Sequence, residues 1–477
     1  MALRINVDAR TDNGVQTGVF IGGVSVQLDA RGSTPSGRFL FANSLFWRIG
    51  MDIELHNSTD ATGTAENSRR DFIRSTGAVF GGAALMAIVP PGVRSAAWAA
   101  GSDAPEKKEV KVGFIPLTDC ASVVIASVMK FDEKYGIKIT PSKEASWASV
   151  RDKLVNGELD AAHVLYGLIY GVQMGIGGPK KDMAVLMNLN FNGQAITLAN
   201  KFAEKGVKDG AALKSFIDKN KADYTFAQTF PTGTHAMWLY YWLATYGIDP
   251  FKDVKNIVVP PPQMVANMRV GNMDGFCVGE PWNNRAIYDK IGFTVETTQG
   301  IWKDHPEKTL GTTAEFVKNN PNTARAMTAA ILDASRFIDV MANRKKVAEI
   351  IADKAYVNCP VDVIEQRLEG DYENGIGKKW KDPDYMKFYN DGMVNYPYLS
   401  DGMWFLTQHK RWGLLKDDPD YLAVAKQVNQ IALYKDAAAM AKVPLPKSDM
   451  RTSKLIDGVV WDGKDAKKYA ASFKIKA

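Results

Sequence analysis

From residue 110 onward, hydrophobic positions follow two alternating patterns: short β-branched runs, and longer apolar stretches that begin after turn residues. Val110 to Ile115 alternates and is followed by Pro116, which predicts a strand ending there. Thr118 or Asp119 precedes an apolar stretch that continues to Gly136, as a cap precedes a helix. The run IKITPS then predicts a second strand. Strand, helix and strand in this order predict a parallel sheet with helices on its faces.

The same alternation continues along the chain. The pattern predicts a helix ending near Gly157, a strand at Ala161 to Val164, and then another helix. MAVLMNLNFNGQAITLAN predicts strand, turn and strand, and DYTFAQTF predicts a strand before the very apolar helix of PTGTHAMWLYYWLATYGI. EFVKNNPNTARAMTAAILDASRFIDV predicts one long amphipathic helix. After Lys379 the chain becomes aromatic and loop-rich, and a charged helical tail closes it.

Residues 67–100 have the composition of an export signal. Arg69 and Arg70 begin the segment, an apolar, glycine-rich run follows, and Ala97-Trp98-Ala99 resembles a cleavage site. SRRDFI resembles the twin-arginine motif, which is an address and not an anchor. The apolar run is shorter than the roughly 20 residues that span a bilayer. A linker helix between two domains is the alternative.

Residues 1–66 precede this signal and lack a helix-length periodic stretch. We interpret them as an extension that is disordered or lies upstream of the true start of translation, near Met51 or just before Asn67. The part after the signal is long enough for two or three domains.

Composition narrows the class of protein. Hydrophobic residues make up 46% and charged residues 23% of the chain, as in ordinary globular proteins. The net charge is +6, and no lysine- or arginine-rich tract with interleaved aromatics occurs, so nucleic acid is not an expected partner. Three cysteines without a C-x-x-C pair predict neither a disulfide framework nor a zinc site. No cysteine directly follows the apolar run, so a free protein is expected rather than a lipoprotein.

An exported α/β chain of this length suggests two lobes with a ligand cleft between them. Open parallel sheets bind ligands at the carboxyl ends of their strands. This rule selects the loops PLTDCA, ASW, NFNGQA, FPTGTHA and VGEPWN.

Individual residues in these loops, and Lys308 in the later segment HPEKTLG, have both a functional and a purely structural interpretation. His235 lies at a predicted helix start, where backbone N–H groups favour an anion, or it is buried by packing. Trp147 contacts a ligand or anchors the core. Gln194 points at a polar ligand or is a solvated turn residue. Gly279 permits close approach of a ligand or forms a tight turn. Lys308 offers a point charge or is simply exposed.

Several motifs, in order, resemble the periplasmic substrate-binding subunits of nitrate and bicarbonate ABC transporters. They are VGFIPLTDCA, EASWASVRDKL, LNFNGQAITLANKF, VGEPWNNRA and IWKDHPEKTLGTTAEFV. The resemblance spans residue 109 to about 440 and implies an α/β, two-lobed periplasmic binding protein fold of type II. The expected division is 109–220 and 313–400 for the first lobe, 221–312 for the second, and 401–477 for a helical extension packing on the first lobe.

The resemblance also implies a ligand site. In the nitrate-binding branch the ligand is held by a tryptophan, a glutamine, a histidine, a glycine and a lysine. These correspond to Trp147, Gln194, His235, Gly279 and Lys308. Lys303 is an alternative candidate for the lysine, and the matching glycine could lie one residue away from Gly279. In the bicarbonate branch an acidic residue replaces the lysine and a calcium ion assists. The lysine therefore favours nitrate or nitrite, with no metal or cofactor.

The expected function is capture of nitrate, or nitrite, in the periplasm and delivery to an inner-membrane ABC permease and its ATPase, the protein remaining peripheral to the membrane. Alternatives within the fold are a bicarbonate- or sulfonate-binding protein and a cytoplasmic nitrate sensor. An enzyme using Cys120 or Cys277 with His235 is a further alternative. It is disfavoured, because the sequence has no H-E-x-x-H motif, P-loop or full G-x-G-x-x-G.

Overall fold

The computed structural model describes residues 103–477 in full and, before them, the backbone of two strands, β1 (Thr17–Ile21) and β2 (Val24–Leu28). β1 and β2 form an antiparallel pair with Thr17 opposite Leu28. The predicted export signal at 67–100 lies outside the described residues, as does the rest of the expected extension at 1–66.

Two five-stranded sheets organise residues 103–477. Their strands are β3 Glu109–Phe114, β4 Lys138–Lys143, β5 Ala161–Leu165, β6 Met183–Asn188, β7 Gln194–Ala199, β8 Thr225–Gln228, β9 Lys255–Val258, β10 Gly275–Gly279, β11 Gly292–Thr297 and β12 Lys308–Thr313. The first sheet has the order β4-β3-β5-β12-β6, and the second has the order β11-β7-β10-β8-β9. We call the sheets with their helices the first and second lobes. The predicted two-lobed α/β architecture is confirmed.

Each sheet mixes parallel and antiparallel neighbours. In the first, β3 runs parallel to β4 and β5, whereas β12 runs antiparallel to β5 and β6. In the second, β8 runs parallel to β9 and β10, whereas β7 runs antiparallel to β10 and β11. Each lobe is therefore a parallel βα core into which one antiparallel strand is inserted.

Helices cover both sheets and form most of the carboxyl-terminal part. Their bounds are α1 Ala121–Val128, α2 Trp147–Val155, α3 Tyr166–Gln173, α4 Asn200–Ala203, α5 Gly210–Lys219, α6 Thr234–Thr245, α7 Met264–Arg269, α8 Trp282–Tyr288, α9 Thr298–Ile301, α10 Ala314–Asn319, α11 Pro321–Asp339, α12 Met341–Ile351, α13 Val361–Glu369, α14 Leu399–Arg411, α15 Tyr421–Val428, α16 Ile431–Ala441 and α17 Ala466–Ala471. The described residues also form three short antiparallel pairs of strands, one of which is β1 with β2. The other two pairs are β13 Asp371–Glu373 with β14 Lys379–Lys381, and β15 Ser453–Lys454 with β16 Val460–Trp461. Within the described residues, no helix is both long and apolar enough to cross a membrane.

The chain crosses between the lobes at two adjacent points. It leaves the first sheet after Asn188, enters the second at Gln194, and returns to the first at Lys308. The two crossing segments touch through an antiparallel bridge between Phe191 and Pro306. This pair of segments is the connection about which the lobes can move.

These crossings differ from the expected positions near Asn220 and Thr313. Asn192 and Gly193 both have positive φ, 61° and 89°, as the turn signal in the sequence predicts. The turn does not pair β6 with β7, however, because it sends the chain into the other sheet. The segment from 194 to 220 therefore belongs to the second lobe.

Two predicted helices are shorter than expected. α1 ends at Val128, not at Gly136, because Lys130 adopts a positive φ of 62° that interrupts the helix. The predicted long helix is two helices, α10 and α11, separated at Asn320. Pro321 follows, and proline disfavours helical geometry in the residue before it.

The carboxyl-terminal extension contacts both lobes, whereas the sequence led us to expect packing on the first alone. On the first lobe, Tyr170 of α3 donates a hydrogen bond to Asn429 at 2.9 Å. On the second, the ring of Trp404 stacks on that of Trp238 with centroids 5.0 Å apart. The region after Lys379, expected to be loop-rich, includes the buried helix α14.

Two glycines of α3 allow the loop before α6 to pack tightly on the first lobe. A Cβ atom at Gly167 would lie 2.3 Å from the carbonyl oxygen of Thr232, and one at Gly171 would lie 2.5 Å from its Oγ1. Since real Cβ contacts are longer than this, only glycine permits the approach. The start of α6 is thus held against α3.

We expect Gly167→Ala to destabilise the protein. Overpacking a close contact costs about 1–3 kcal/mol of unfolding free energy, more than the roughly 1 kcal/mol that alanine gains over glycine in a helix. Gly178→Ala is the matched control, because its Cβ would meet only Arg151 Nη1 at 3.9 Å. Urea denaturation measures both variants. Equal stability of the two would contradict the proposed tight contact.

Candidate functional site

The structure brings all five sequence-predicted site residues together between the lobes. Trp147 and Lys308 come from the first lobe, as the first residues of α2 and β12. Gln194, His235 and Gly279 come from the second, at the start of β7, the start of α6 and the end of β10. The four with side chains are at most 1% exposed.

Short contacts connect these five residues. Lys308 Nζ lies 5.7 Å from the ring centroid of Trp147, a cation–π distance. His235 Nε2 is hydrogen-bonded to Gln194 Oε1. A Cβ atom added to Gly279 would lie 3.2 Å from that same amide oxygen, so glycine keeps space open beside it. The convergence is a fact of geometry, and the role of these residues in binding nitrate stays a prediction.

Asp119 lies at the centre of the cluster and was absent from the predicted set. Its Oδ2 accepts a hydrogen bond from Lys308 Nζ at 2.8 Å and from Gln194 Nε2 at 3.4 Å. Its Oδ1 is 2.7 Å from His163 Nε2. The carboxylate therefore links residues of both lobes. One signal pointed to it, because Asp119 belongs to PLTDCA, one of the loops selected at the carboxyl ends of strands.

Glu307 is a second buried carboxylate beside the same lysine. Its Oε1 accepts from Lys308 Nζ at 2.9 Å and from the Thr234 hydroxyl. Its Oε2 accepts from Trp238 Nε1 at 2.8 Å. Thr234 and Trp238 belong to α6 of the second lobe, whereas Glu307 directly precedes β12 of the first. Glu307 therefore connects the returning segment to the helix that carries His235.

The charges of this cluster are set by burial and by their mutual attraction. Burial raises the pKa of Asp119, but Lys308 and His163 outweigh this and hold it well below its usual value. Burial lowers the pKa of Lys308, yet Asp119 and Glu307 raise it further, so the net shift is upward. Burial raises the pKa of Glu307, against the opposing effect of Lys308. Lys308 is thus a stable cation and Asp119 a stable anion at neutral pH.

The histidines around this pair are neutral at pH 7. Burial lowers the pKa of His163 and, more strongly, that of His235, where the nearby Lys308 adds to the effect. Burial also lowers the pKa of His305, to about 3. Asp119 opposes the shifts of His163 and His235 without reversing them.

Buried polar atoms without partners lie on the same cluster. Among residues 103–477, these include Trp147 Nε1, His163 Nδ1 and Thr118 Oγ1. A buried donor without a hydrogen bond costs about 1–3 kcal/mol, so such atoms are rare in proteins and call for an explanation. An anion with several acceptor oxygens would satisfy the indole N–H and the hydroxyl.

Local sequence explains how His235 reaches the cluster. Gly233 is the N-cap of α6 in extended geometry, and His235 is the second residue of the helix. Thr229, after β8, is hydrogen-bonded to His235 Nδ1. This contact orients the ring so that Nε2 faces Gln194. The partial positive charge of a helix start adds to the attraction of an anion here.

Lys303, the competitor for the lysine position, is not part of the cluster. Its side chain is 65% exposed and pairs with Asp384 at 3.0 Å. The cysteines considered as nucleophiles are buried, and burial raises the pKa of both Cys120 and Cys277. A nucleophilic cysteine needs the opposite shift. Within the described part of the chain, no group of His, Cys, Asp and Glu side chains has the arrangement to hold a metal ion.

The two lobes are closed over the cluster. Thr118 N donates to the carbonyl of Glu280 at 2.7 Å, and Trp282 Nε1 donates to the carbonyl of Pro116 at 2.9 Å. Pro116 and Thr118 follow β3 of the first lobe, whereas Glu280 and Trp282 follow β10 of the second. These contacts exclude water, which strengthens the electrostatic interactions inside.

A family profile and individual relatives agree on the family to which this chain is similar. The profile of the NMT1-like family matches residues 103–352. The nitrate/nitrite binding protein NrtA of Nostoc sp. is 39% identical over 438 residues, covering 86% of this chain and 99% of the relative. The bicarbonate-binding protein CmpA of Synechococcus elongatus is 32% identical over 413 residues, covering 79% and 89%.

A solved structure matches as well. The crystal structure of the periplasmic nitrate-binding protein NrtA from Synechocystis PCC 6803 superposes with a TM-score of 0.75 at 38% identity. The match covers 78% of this chain and 100% of that chain. The expected periplasmic binding protein fold is therefore confirmed.

A buried histidine that contacts the loop before α6 leads to a prediction about how the stability of the protein depends on pH. His409 of α14 is buried, its Nε2 lies 2.9 Å from the carbonyl oxygen of Thr232, and burial lowers its pKa to about 4. Between about pH 6.5 and 4 the unfolded chain binds a proton there that the folded chain does not. The free energy of unfolding therefore decreases as pH falls through this range, by about 1.4 kcal/mol per pH unit on account of His409.

We expect the difference in free energy of unfolding between wild type and His409→Gln to change by about 1.4 kcal/mol per pH unit below pH 6.5. Glutamine keeps a donor for Thr232 but does not titrate, so the variant gains relative to wild type as pH falls below about 6.5. Urea denaturation at several pH values between 7 and 5 measures the difference. A difference independent of pH would show that His409 is not held neutral.

Proposed function

The chain belongs to the NMT1-like family, and from that membership and the geometry of its cleft we propose that it captures nitrate for an ABC transporter. Nitrite, also a monovalent anion of nitrogen and oxygen, is included in the proposal. The ligand would be held by Trp147, Gln194, His235, Gly279 and Lys308. Delivery would be to an inner-membrane permease and its ATPase, with the protein peripheral to the membrane.

One observation carries the proposal: a single buried lysine, paired with Asp119 and Glu307, also lies among neutral donors supplied by both lobes. Lys308 is fully buried, and its neighbours Trp147, Gln194 and His235 are uncharged. Nitrate spreads one charge over three weakly accepting oxygens, so one cation and a few neutral donors match it. Phosphate or sulfate would need more donors, and a neutral solute would not need the cation.

Bicarbonate is the main competing ligand. The relatives include a bicarbonate-binding protein at 32% identity, below the 39% of the nitrate/nitrite binding protein. The family resemblance links bicarbonate with an acidic residue and calcium at the position of Lys308. A lysine at this position repels calcium. Nitrate is therefore the better-supported ligand, and sulfonate binders share only the fold.

The proposal includes export of the protein to the periplasm. Residues 67–100 would direct the folded protein through the twin-arginine pathway into the periplasm, where a binding protein of this kind meets its permease. The three buried cysteines are free and require no disulfide formation, which agrees with folding before export. The competing interpretation, a cytoplasmic nitrate sensor on the same fold, predicts that the protein stays in the cytosol.

We expect Lys308→Ala to weaken nitrate binding about tenfold to a hundredfold, because a hydrogen bond to a charged group contributes about 1.5–3 kcal/mol. Lys308→Glu should abolish binding, since it places a negative charge against the anion. Lys303→Ala is the matched control and should leave affinity unchanged, because that side chain is exposed and bound to Asp384. Calorimetric titration with nitrate, nitrite and bicarbonate measures all four proteins. Unchanged nitrate affinity in Lys308→Glu would show that another residue binds the anion.

We expect the mature protein to begin near Ala100, after the Ala97-Trp98-Ala99 site. Replacing Arg69 and Arg70 with lysine should leave unprocessed protein in the cytosol, whereas Arg94→Lys should have no such effect. Intact mass spectrometry of periplasmic and cytosolic fractions gives the result. Mature periplasmic protein that starts at residue 1 or 2 would contradict the export proposal.

A further inference from the structure

The charges around Lys308 do not favour an anion as they stand. Asp119 and Glu307 both contact the ammonium group, at 2.8 and 2.9 Å. The histidines of the cluster are neutral at pH 7. The buried groups therefore sum to zero or to a negative charge before any ligand binds. An added anion would face two carboxylates in a region closed to water, where such repulsion is strong.

His163 is placed to change this balance. Its Nε2 lies 2.7 Å from Asp119 Oδ1, and its ring centroid is 5.8 Å from that of Trp147. In the sheet, His163 pairs with Leu310 and Leu165 pairs with Lys308. Paired residues and alternate residues share a face, so His163 and Lys308 lie on the same face of the first sheet.

One nitrogen of His163 has no partner. Nε2 faces a carboxylate and therefore carries a proton in the neutral ring, which leaves Nδ1 as a bare lone pair. Nδ1 is buried and without a hydrogen-bond partner among the described residues. A lone pair cannot bind an anion. A proton there would turn it into a donor and add one positive charge.

The groups facing His163 come from several elements. Asp119 favours its protonated form, whereas Lys308 and burial disfavour it. His235 of α6 also interacts with His163 electrostatically, and Trp147 of α2 is uncharged. Without ligand, burial dominates and the ring is neutral. A negative charge placed at Lys308 would offset the lysine and shift the balance toward the protonated ring.

We infer that nitrate enters this site together with one proton from solvent, and that His163 accepts the proton at Nδ1. This inference rests on the proposed function and adds a residue that determines charge selectivity. The proton and the nitrate together add no net charge to the closed cleft. His163 would then be a cation that Asp119 holds through Nε2.

Because proton binding and nitrate binding are thermodynamically linked, the direction in which nitrate affinity changes with pH can be predicted. His163 is neutral in the free protein and protonated in the complex, so binding is strengthened as pH falls. The affinity should rise up to tenfold per pH unit between the bound-state and free-state pKa values of His163. It should level off outside that range. Nitrate itself does not titrate there, so the dependence reports on the protein.

Calorimetry in two buffers tests the inference directly. Nitrate is titrated into the purified mature protein at the same pH in phosphate and in Tris, which differ in ionisation enthalpy. We expect the heats to differ by an amount equal to uptake of about one proton per nitrate. His163→Gln keeps a donor for Asp119 but cannot take the proton, so the difference should disappear. His409→Gln is the matched control and should keep the proton uptake.

The outcomes separate this inference from the nitrate assignment. Binding of nitrate with equal heats in both buffers would overturn the inference and leave the nitrate assignment intact. Proton uptake that persists in His163→Gln would overturn the role of His163. No nitrate binding by wild type would overturn both. If His163→Gln does not fold, the affinity of wild type between pH 5.5 and 8.5 decides, because a flat profile contradicts proton uptake.

Discussion

The closed cleft depends on one buried cation, the ammonium group of Lys308. Taking such a charge out of water costs several kcal/mol unless partners compensate. Here Asp119 and Glu307 do so, and each carboxylate is in turn held by groups from the second lobe, Gln194 for the first and Thr234 for the second. The ion-pair network therefore spans both lobes, and closing the cleft supplies hydrogen-bond donors to the two carboxylates that hold the lysine.

The same network explains how a weak anion can be selected. A lysine without counter-charges would attract any anion, including divalent ones. With Asp119 and Glu307 at contact distance, the positive charge of Lys308 is offset, and a second negative charge on a ligand would be repelled. Selectivity for a monovalent anion then follows from charge compensation, whereas shape and the neutral donors Trp147 and His235 would distinguish among monovalent anions. Discrimination of this kind uses repulsion as well as attraction.

Local patterns predicted the strands and most helices, whereas the set of five converging side chains came from the resemblance to a known family. The interlobe crossings were not predictable in this way. Asn192-Gly193 has the composition of a hairpin turn, and only the tertiary fold determines that β7 joins another sheet. His163 was also missed, because it lies within a buried strand and its importance comes from Asp119, 44 residues away. Charge pairing across the chain leaves no periodic signal.

The contacts of the carboxyl-terminal extension suggest where motion between the lobes is possible. His409 and Trp404 of α14 hold the loop and helix that carry His235, and α3 packs on the same loop through its glycines. This side of the cleft is anchored to both lobes by buried side chains. Around Glu280 the contacts are mainly hydrogen bonds: Thr118 N donates to the carbonyl of Glu280, and Trp282 Nε1 donates to the carbonyl of Pro116. Asn284 Nδ2 also donates to the carbonyl of Val363. Hydrogen bonds of this kind contribute about 1 kcal/mol each, far less than buried aromatic packing. Opening should therefore begin at Thr118 and Glu280 and pivot at the crossing segments 189–193 and 302–307, the second of which contacts the start of α6 through Glu307 and Thr234.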